Sequence, residues 1–287
     1  MQRFEYHAPT STAEAIGLMD RYGDSARVIA GGTDLLTALK ERWERPAFVI
    51  GLGAIPGLAY ITYEEGVGLR IGAATTVRAV ETSAAVRSHY PVLAYAASTL
   101  ASIQIRNLAT VAGNICRASP SADTPPALIV LGAQVKLAGP DGERVVALDD
   151  FFTGPGRTLR QPNELLTEIR IPPPRPHSGS AYFKHSPRRA MDLAVVGVAA
   201  AVALENGLCR DVRIALGAVA ATPRRARGAE AVLEGFEPTA ARLEEAARAA
   251  ATECNPISDV RGSADYRREM VRVNTGRALQ QALESAA

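Results

Sequence analysis

Apolar positions fall into distinct rhythms along this chain, and each rhythm predicts a different kind of element. Behind Ser11-Thr12-Ala13-Glu14, a capping-box pattern, Ala15, Ile16, Met19 and Tyr22 recur at helical spacing until Gly23-Asp24 ends the run. A short apolar run at 26–30 reads as a buried strand, 35–42 as a helix and 46–52 as another strand, so residues 1–57 form a compact α/β unit. A hairpin follows, 58–62 with 67–72 about Glu64-Glu65-Gly66. Ala73-Ala74-Thr75-Thr76 lead a helix over 77–87, and Pro91 starts another through Val92, Leu93, Ala96 and Leu100. Asp123-Thr124-Pro125-Pro126 opens a helix that runs to residue 131, proline fitting its first turn. Residues 134–137 and 144–148 make a hairpin about Gly139-Pro140-Asp141-Gly142, Phe151-Phe152 read as core, and 164–171 is the last strand of a second unit, 58–173.

The pattern then breaks at Pro172-Pro173-Pro174-Arg175-Pro176-His177-Ser178-Gly179, which marks a linker over 174–179. In the third unit, 180–287, the runs 181–184, 194–204 and 209–219 read as three antiparallel strands, the last two joined at Glu205-Asn206-Gly207. Helices are predicted over 226–233, 240–252 and 264–284. The chain as a whole is therefore α+β, with two α/β subdomains followed by a small sheet under a helical layer.

Composition mainly excludes. An apolar content of 47% and a charged content of 22% over 287 residues suit a globular protein of two or three units. No apolar run reaches the roughly 18–20 residues of a membrane span, and Met-Gln-Arg-Phe-Glu-Tyr at the N-terminus lacks the apolar centre of a secretory signal, so a cytoplasmic protein is expected. A net charge of +2 makes no case for a nucleic-acid surface. Cys116, Cys209 and Cys254 are distant and odd in number, and His7, His89, His177 and His185 have no ligand spacing; neither a disulfide framework nor a metal site is expected.

Two stretches carry candidate chemistry. After the strand at 26–30 come Gly31-Gly32-Thr33-Asp34 and a helix start, an arrangement in which glycines admit close approach and backbone N–H groups face an anion. Thr33 adds a hydroxyl, and Asp34 is placed to cap the helix; a plain capped strand-to-helix turn is the alternative. The motif is not G-x-G-x-x-G, which disfavours a nicotinamide Rossmann domain. The second stretch is Ala109-Thr110-Val111-Ala112-Gly113-Asn114-Ile115, followed by the Ser119-Pro120 turn and the carboxylate of Asp123. Together they predict a dinucleotide held across its pyrophosphate.

These loops, with Ile71-Gly72-Ala73-Ala74-Thr75-Thr76 between them, resemble in order and spacing the FAD-binding subunit of molybdenum hydroxylases, the family of carbon monoxide dehydrogenase and xanthine dehydrogenase flavoproteins. The resemblance covers nearly the whole chain. It implies a two-subdomain FAD-binding fold of the vanillyl-alcohol-oxidase (PCMH) type, the C-terminal unit being the flavoprotein C-terminal domain. Val28, Ile29, Ala30, Gly31, Gly32, Thr33, Asp34 and Leu35 match the first FAD loop; Thr110, Val111, Ala112, Gly113 and Asn114 match the second; Asp123 matches the acid placed on the ribose and adenosine region. Leu100 falls where a family member has an aromatic residue beside the isoalloxazine. Leu165 or Leu166 matches an apolar contact near the flavin, with Leu166 preferred. Phe183-Lys184-His185 and residues 188–194 resemble the stretch in which a lysine near the flavin precedes Arg-x-x-Asp. Lys184 is then a cation at the flavin that raises its potential, the alternative being a surface lysine at a strand end. Asp192 orders its segment, lines the acceptor's approach, or pairs with Arg188 or Arg189.

Three departures stand out: Ala112 replaces a common glycine, Arg117 replaces smaller polar residues, and the connection at 139–150 is too short for an additional iron–sulfur loop. By the same resemblance, molybdopterin and two [2Fe–2S] clusters lie on a large and a small partner subunit, in a dimer of heterotrimers, and FAD passes electrons to NAD, a quinone or O2. No residue is expected to act as nucleophile or general base. The rival readings are a free-standing FAD-dependent oxidoreductase, disfavoured by the lack of His or Cys suited to covalent flavin attachment, and a non-catalytic nucleotide-binding subunit.

Overall fold

A computed structural model describes residues 2–286. The first subdomain winds β1 (Glu5–His7), α1 (Thr12–Tyr22), β2 (Ala26–Ile29), α2 (Leu35–Lys40) and β3 (Phe48–Gly51) into a parallel sheet of order β1-β3-β2. The polar edge strand β1 carries no apolar run and escaped the hydrophobic pattern. Ser11 caps α1 as expected, its Oγ accepting from Glu14 N–H at 3.1 Å. The carboxylate of Glu14, however, reaches one residue further back, to Thr10 N–H at 2.8 Å, so the box is opened by one position.

The second subdomain is built on a five-stranded antiparallel sheet of order β4-β5-β10-β6-β7. Its elements are β4 (Ile61–Glu64), β5 (Gly68–Gly72), α3 (Val77–Thr82), α4 (Ala84–His89), α5 (Pro91–Ser98), α6 (Ile103–Arg106), α7 (Val111–Arg117), α8 (Thr124–Val130), β6 (Gln134–Gly139), β7 (Gly142–Ala147), α9 (Leu148–Phe151), β8 (Phe152–Gly154), β9 (Arg157–Thr158) and β10 (Leu165–Ile171). The helix expected over 77–87 is two helices. Ser83 adopts extended backbone between them and caps the second, accepting from Val86 N–H at 3.4 Å. Leu69, Ile71, Leu93, Ile115, Leu128, Leu137, Phe151 and Ile169 pack into one core between sheet and helices.

The C-terminal domain comprises β11 (Ser178–His185), β12 (Val196–Glu205), β13 (Leu208–Gly217), β14 (Arg224–Arg225), α10 (Arg227–Leu233), α11 (Ala240–Glu253) and α12 (Ala264–Ala286). Its sheet has four strands, not three, because Arg224 and Arg225 add a short edge strand to β13. Ser178 and Gly179, assigned above to the linker, are already in β11; a side chain on Gly179 would strike the backbone of α12 at Ala282.

Both faces of this sheet are covered, which is why β12 reads as an unbroken apolar run rather than an alternation. Val196, Val198, Ala200 and Val202 face α10–α12, in a core with Val271, Leu279 and Ala282. On the opposite face Ala199 and Ala215, with Tyr182, join the core of the second subdomain, where the sheet packs on α5 and α8. Small residues are required there because α8 approaches closely: a Cβ on Gly217 would lie 2.9 Å from Pro126 Cγ. Among the described residues, no helix is long and apolar enough to cross a membrane, and no group of three or more His, Cys, Asp or Glu side chains is arranged to hold a metal ion.

Gly217→Val tests this packing. The added methyls should push β13 off α8 and lower stability by about 1–3 kcal/mol, read as a fall in the urea midpoint. An unchanged midpoint would mean that the interface has room to spare.

Candidate functional site

The two glycine-bearing stretches meet. After β2 the chain turns through Ala30 and Gly31 to Gly32, whose φ of +72° favours glycine. Gly31 faces a different constraint: a Cβ there would collide with the carbonyl oxygen of Leu108 and with Ala109 Cα. Main chain packs directly on main chain. Among the described residues, the N–H groups of Gly31, Gly32, Thr33 and Asp34 find no protein acceptor, and neither does the Thr33 hydroxyl. Asp34 does not cap α2; its backbone is already helical and its carboxylate lies 3.5 Å from Arg117 Nε.

Residues 109–111 in turn pair with 75–77. Val77 N–H donates to Ala109 O at 2.8 Å, Val111 N–H to Thr75 O at 3.3 Å, and Thr76 and Thr110 form an isolated bridge. The hydroxyls on this seam serve the protein itself. Thr75 Oγ1 is engaged with the backbone of Tyr60, Thr76 Oγ1 caps α3, and Thr110 Oγ1 caps α7 by accepting from Gly113 N–H at 3.0 Å. Residues 110–114 are thus the N-cap and first turn of a helix rather than an open loop. A Cβ on Gly113 would press to 2.8 Å of that capping oxygen. Ala112 is helical and buried, so the replacement of glycine there needs no special backbone freedom. Asn114 Oδ1 accepts from Thr124 Oγ1 at 2.7 Å, tying α7 to α8 and leaving the amide nitrogen without a partner among the described residues.

A cleft of about 1020 Å³ runs between the two subdomains and reaches the C-terminal domain. It is lined by Val28 to Leu35, by Leu100, Thr110, Ala112, Gly113, Asn114 and Asp123, and by both Leu165 and Leu166. A register shift in β10 just after Leu166 accompanies this pairing, and the two leucines divide their packing, Leu165 with the first subdomain's core and Leu166 with the second's. Val111 and Lys184 lie outside the lining. Val111 is fully buried in the core.

Lys184 is not a surface lysine. Its ammonium is buried, 2.9 Å from Asp123 Oδ2 and 2.9 Å from Thr99 O, while Tyr182 O–H donates to Asp123 Oδ1 at 3.2 Å. Burial pushes the Asp123 carboxyl above the usual carboxylate range, against the opposing pull of Lys184. Burial, with Asp123 alongside, likewise pushes the Tyr182 phenol well up. The acid beside the cleft therefore stands in a triad contributed by two domains. Asp192, also in the cleft lining, accepts from Arg188 N–H and Nε and from Leu193 N–H, so its partner is Arg188, four residues before it, and not Arg189, the arginine of Arg-x-x-Asp.

Sequence reasoning missed Arg106. Buried with Glu81, Nε to Oε2 at 2.8 Å, it donates through Nη1 to Leu100 O at 2.8 Å and so fixes the cleft wall beside Ala101, a non-glycine residue at φ +42°. Burial raises the Glu81 carboxyl, but hydrogen bonds from Arg106 and Arg78 outweigh it and hold the group below its ordinary value. Nothing in periodicity separates this arginine from solvated ones.

The arrangement suits a dinucleotide. An extended cleft of this size, a run of unpartnered N–H groups and two glycines that hold bulk away leave room for a pyrophosphate close to main chain. Comparison with known proteins agrees. Residues 2–174 match the family described as FAD binding domain in molybdopterin dehydrogenase, and residues 181–282 match the CO dehydrogenase flavoprotein C-terminal domain. The chain is 39% identical over 284 residues to the carbon monoxide dehydrogenase medium chain of Hydrogenophaga pseudoflava, covering 99% of this chain and 97% of that one. It is 34% identical over 282 residues to the xanthine dehydrogenase FAD-binding subunit of Escherichia coli O157:H7, covering 98% and 96%. Among solved structures, carbon monoxide dehydrogenase from H. pseudoflava lacking the Mo-pyranopterin moiety superposes with a TM-score of 0.96 at 38% identity, over 100% of this chain and 99% of that one.

Two outcomes follow from the electrostatics. Asp123→Asn strands the buried Lys184 ammonium and should cost about 3–5 kcal/mol, whereas Asp123→Asn with Lys184→Met should cost less than the single change; urea unfolding of both measures it. Glu164, also at the cleft, is held below the ordinary carboxylate range chiefly by Arg144, at 2.6 and 2.8 Å. A depressed folded pKa gives stability that is full above the unfolded value, about 4.3, and is lost as pH falls through the folded one. Arg144→Gln should therefore lower stability at pH 7 by about 1 kcal/mol, given the arginine's exposure, read as a fall in Tm, and the two proteins should converge in acid.

Proposed function

The chain belongs to the FAD-binding flavoprotein subunits of the molybdenum hydroxylases, and from that premise we propose that the inter-subdomain cleft holds FAD, with its pyrophosphate between the two glycine-bearing stretches. The N–H run from Gly31 to Asp34 carries this reading, because four adjacent donors without acceptors among the described residues belong to the lining of a cleft whose glycines admit nothing bulky. On the facing side Gly113 keeps the approach to α7 open, and the Asn114 amide nitrogen donates to the same ligand. Val28, Ile29, Ala30, Leu35, Leu100 and Leu166 exclude water along its length, while Asp123 offers its remaining lone pairs to ribose hydroxyls. Lys184 acts as the counter-ion of Asp123, and only through that pair on the field at the flavin.

When bound, FAD supplies the redox chemistry, passing electrons from [2Fe–2S] clusters of a small subunit, fed by molybdopterin in a large subunit, to NAD, a quinone or O2. This chain binds and orients the cofactor and sets its electrostatic surroundings. It works in the cytoplasm as the medium member of a heterotrimer, two of which associate.

Purified protein should carry visible flavin absorbance, and a pull-down should bring a molybdenum-containing and a [2Fe–2S]-containing chain with it. Gly32→Val, which places a β-branched residue at positive φ, and Asn114→Ala, which removes the amide donor, should each weaken FAD by about tenfold or more. Equal FAD content and affinity in both variants would overturn the assignment of the two stretches.

A further inference from the structure

The lining of the cleft contains five arginines, and four of them are committed or remote from the glycine-bearing stretches. Arg27 Nε lies on Glu44 at 2.9 Å, and its Nη1 donates to two carbonyls. Arg160 Nη1 is taken by the carbonyls of Gln161 and Glu164. Arg188 is closed on Asp192 and Met191 O. Arg261 stands on the C-terminal domain, near Asp259. Arg117 differs. It ends α7, the helix that begins with the second stretch, and its one charged contact among the described residues is a loose 3.5 Å approach to Asp34 of the first, with 54% and 62% of the two side chains exposed.

The surrounding charge makes that position consequential. Six carboxylates line the same cleft against the five arginines, so no general positive field receives an anion. Backbone N–H groups supply dipoles, not net charge. A pyrophosphate with two negative charges would also approach Asp34, whose only salt-bridge partner among the described residues is Arg117. We propose that Arg117 is an FAD-binding residue that supplies the net positive charge at the pyrophosphate, with Asp34 holding its guanidinium at the lip of the cleft until the cofactor enters. The inference rests on the FAD reading above. It assigns function to a position where this chain departs from smaller polar residues, and it places one side chain across both halves of the cradle.

FAD titration of the apo-protein by flavin fluorescence, at about 50 mM and about 500 mM NaCl, tests it; the screening length shrinks several-fold between those conditions. Arg117→Gln should weaken FAD by about tenfold or more at low salt, and its affinity should change less with salt than that of wild type. Arg117→Lys should stay within about threefold of wild type, because charge and not the guanidinium fork is the requirement. Asp34→Asn in the Arg117→Gln background should recover part of the loss by removing the uncompensated carboxylate. An Arg117→Gln protein that folds with an unchanged Tm and binds FAD as wild type does overturns the inference, as does a loss that is identical at both salt concentrations. Wild-type protein that takes up no FAD overturns the cofactor reading itself, a separate outcome.

Discussion

The contact on which the cleft depends is made of main chain. At Gly31 the turn leaving β2 rests on the Leu108 carbonyl, with no volume between them for even a methyl group. That approach sets the separation of the two subdomains beside the cleft, while the 75–77 and 109–111 pairing fixes the second stretch within its own subdomain. Side chains adjust by rotamer changes, but backbone packed on backbone does not, so the free N–H groups of residues 31–34 are held in place before any ligand arrives. Preorganisation of this sort removes an ordering cost from binding. It also explains why two helices of only six and seven residues, α2 and α7, suffice to frame the site: their positions are fixed from outside.

Charge is handled the same way, by settling it within the protein. Asp123 sits at the cleft with a lysine and a tyrosine already on it, Glu164 with Arg144, Asp192 with Arg188 and backbone donors. Unpaired, each of these carboxylates would repel an anionic cofactor or take up a proton. Paired, they present oxygen lone pairs without a full uncompensated charge. Lys184 belongs to this scheme. An ammonium at 2.9 Å from a carboxylate, in surroundings that exclude water, has its field largely cancelled at longer range, so its influence on a flavin is that of a dipole rather than a lone cation.

Much of this was legible from the residues, and the rest has definite physical reasons for being hidden. Strands such as 196–205 announce themselves because burial on both faces demands continuous apolar sequence, and Ser11 and Thr76 announce helix starts because few residues cap well. The edge strands β1 and β14 gave no signal: two or three residues with polar side chains have no period to detect. Gly31 and Gly32 could be picked out as a pair, yet sequence cannot separate the one needed for positive φ from the one needed for close approach. Thr110, Thr75 and Thr76 look alike as hydroxyls near a ligand loop, and only the fold reveals that all three are engaged by backbone groups. Arg106 is anonymous in sequence and Arg117 shows only as a departure from smaller polar residues, and neither reveals that one is buried on Glu81 and the other half-exposed beside Asp34.

The C-terminal domain is the part whose contribution least resembles its outward form. Its helical layer packs on the sheet face away from the cleft, and it is the inner face that matters for the site. Gly217 and Ala199 let α8 settle against β12 and β13, and the residue that precedes α8 is Asp123. From β11 the same sheet sends Tyr182 and Lys184 to that carboxylate. Packing and electrostatics thus converge on one residue from a domain that supplies no part of either glycine-bearing stretch. A first and second subdomain alone would leave Asp123 with neither its counter-ion nor its tyrosine donor, and an unpaired buried carboxylate of that kind is costly enough to become protonated or to pull its helix out of place. The third domain is therefore a wall of the site, and the proline-rich crossing at 172–177 is the length of chain that lets it reach.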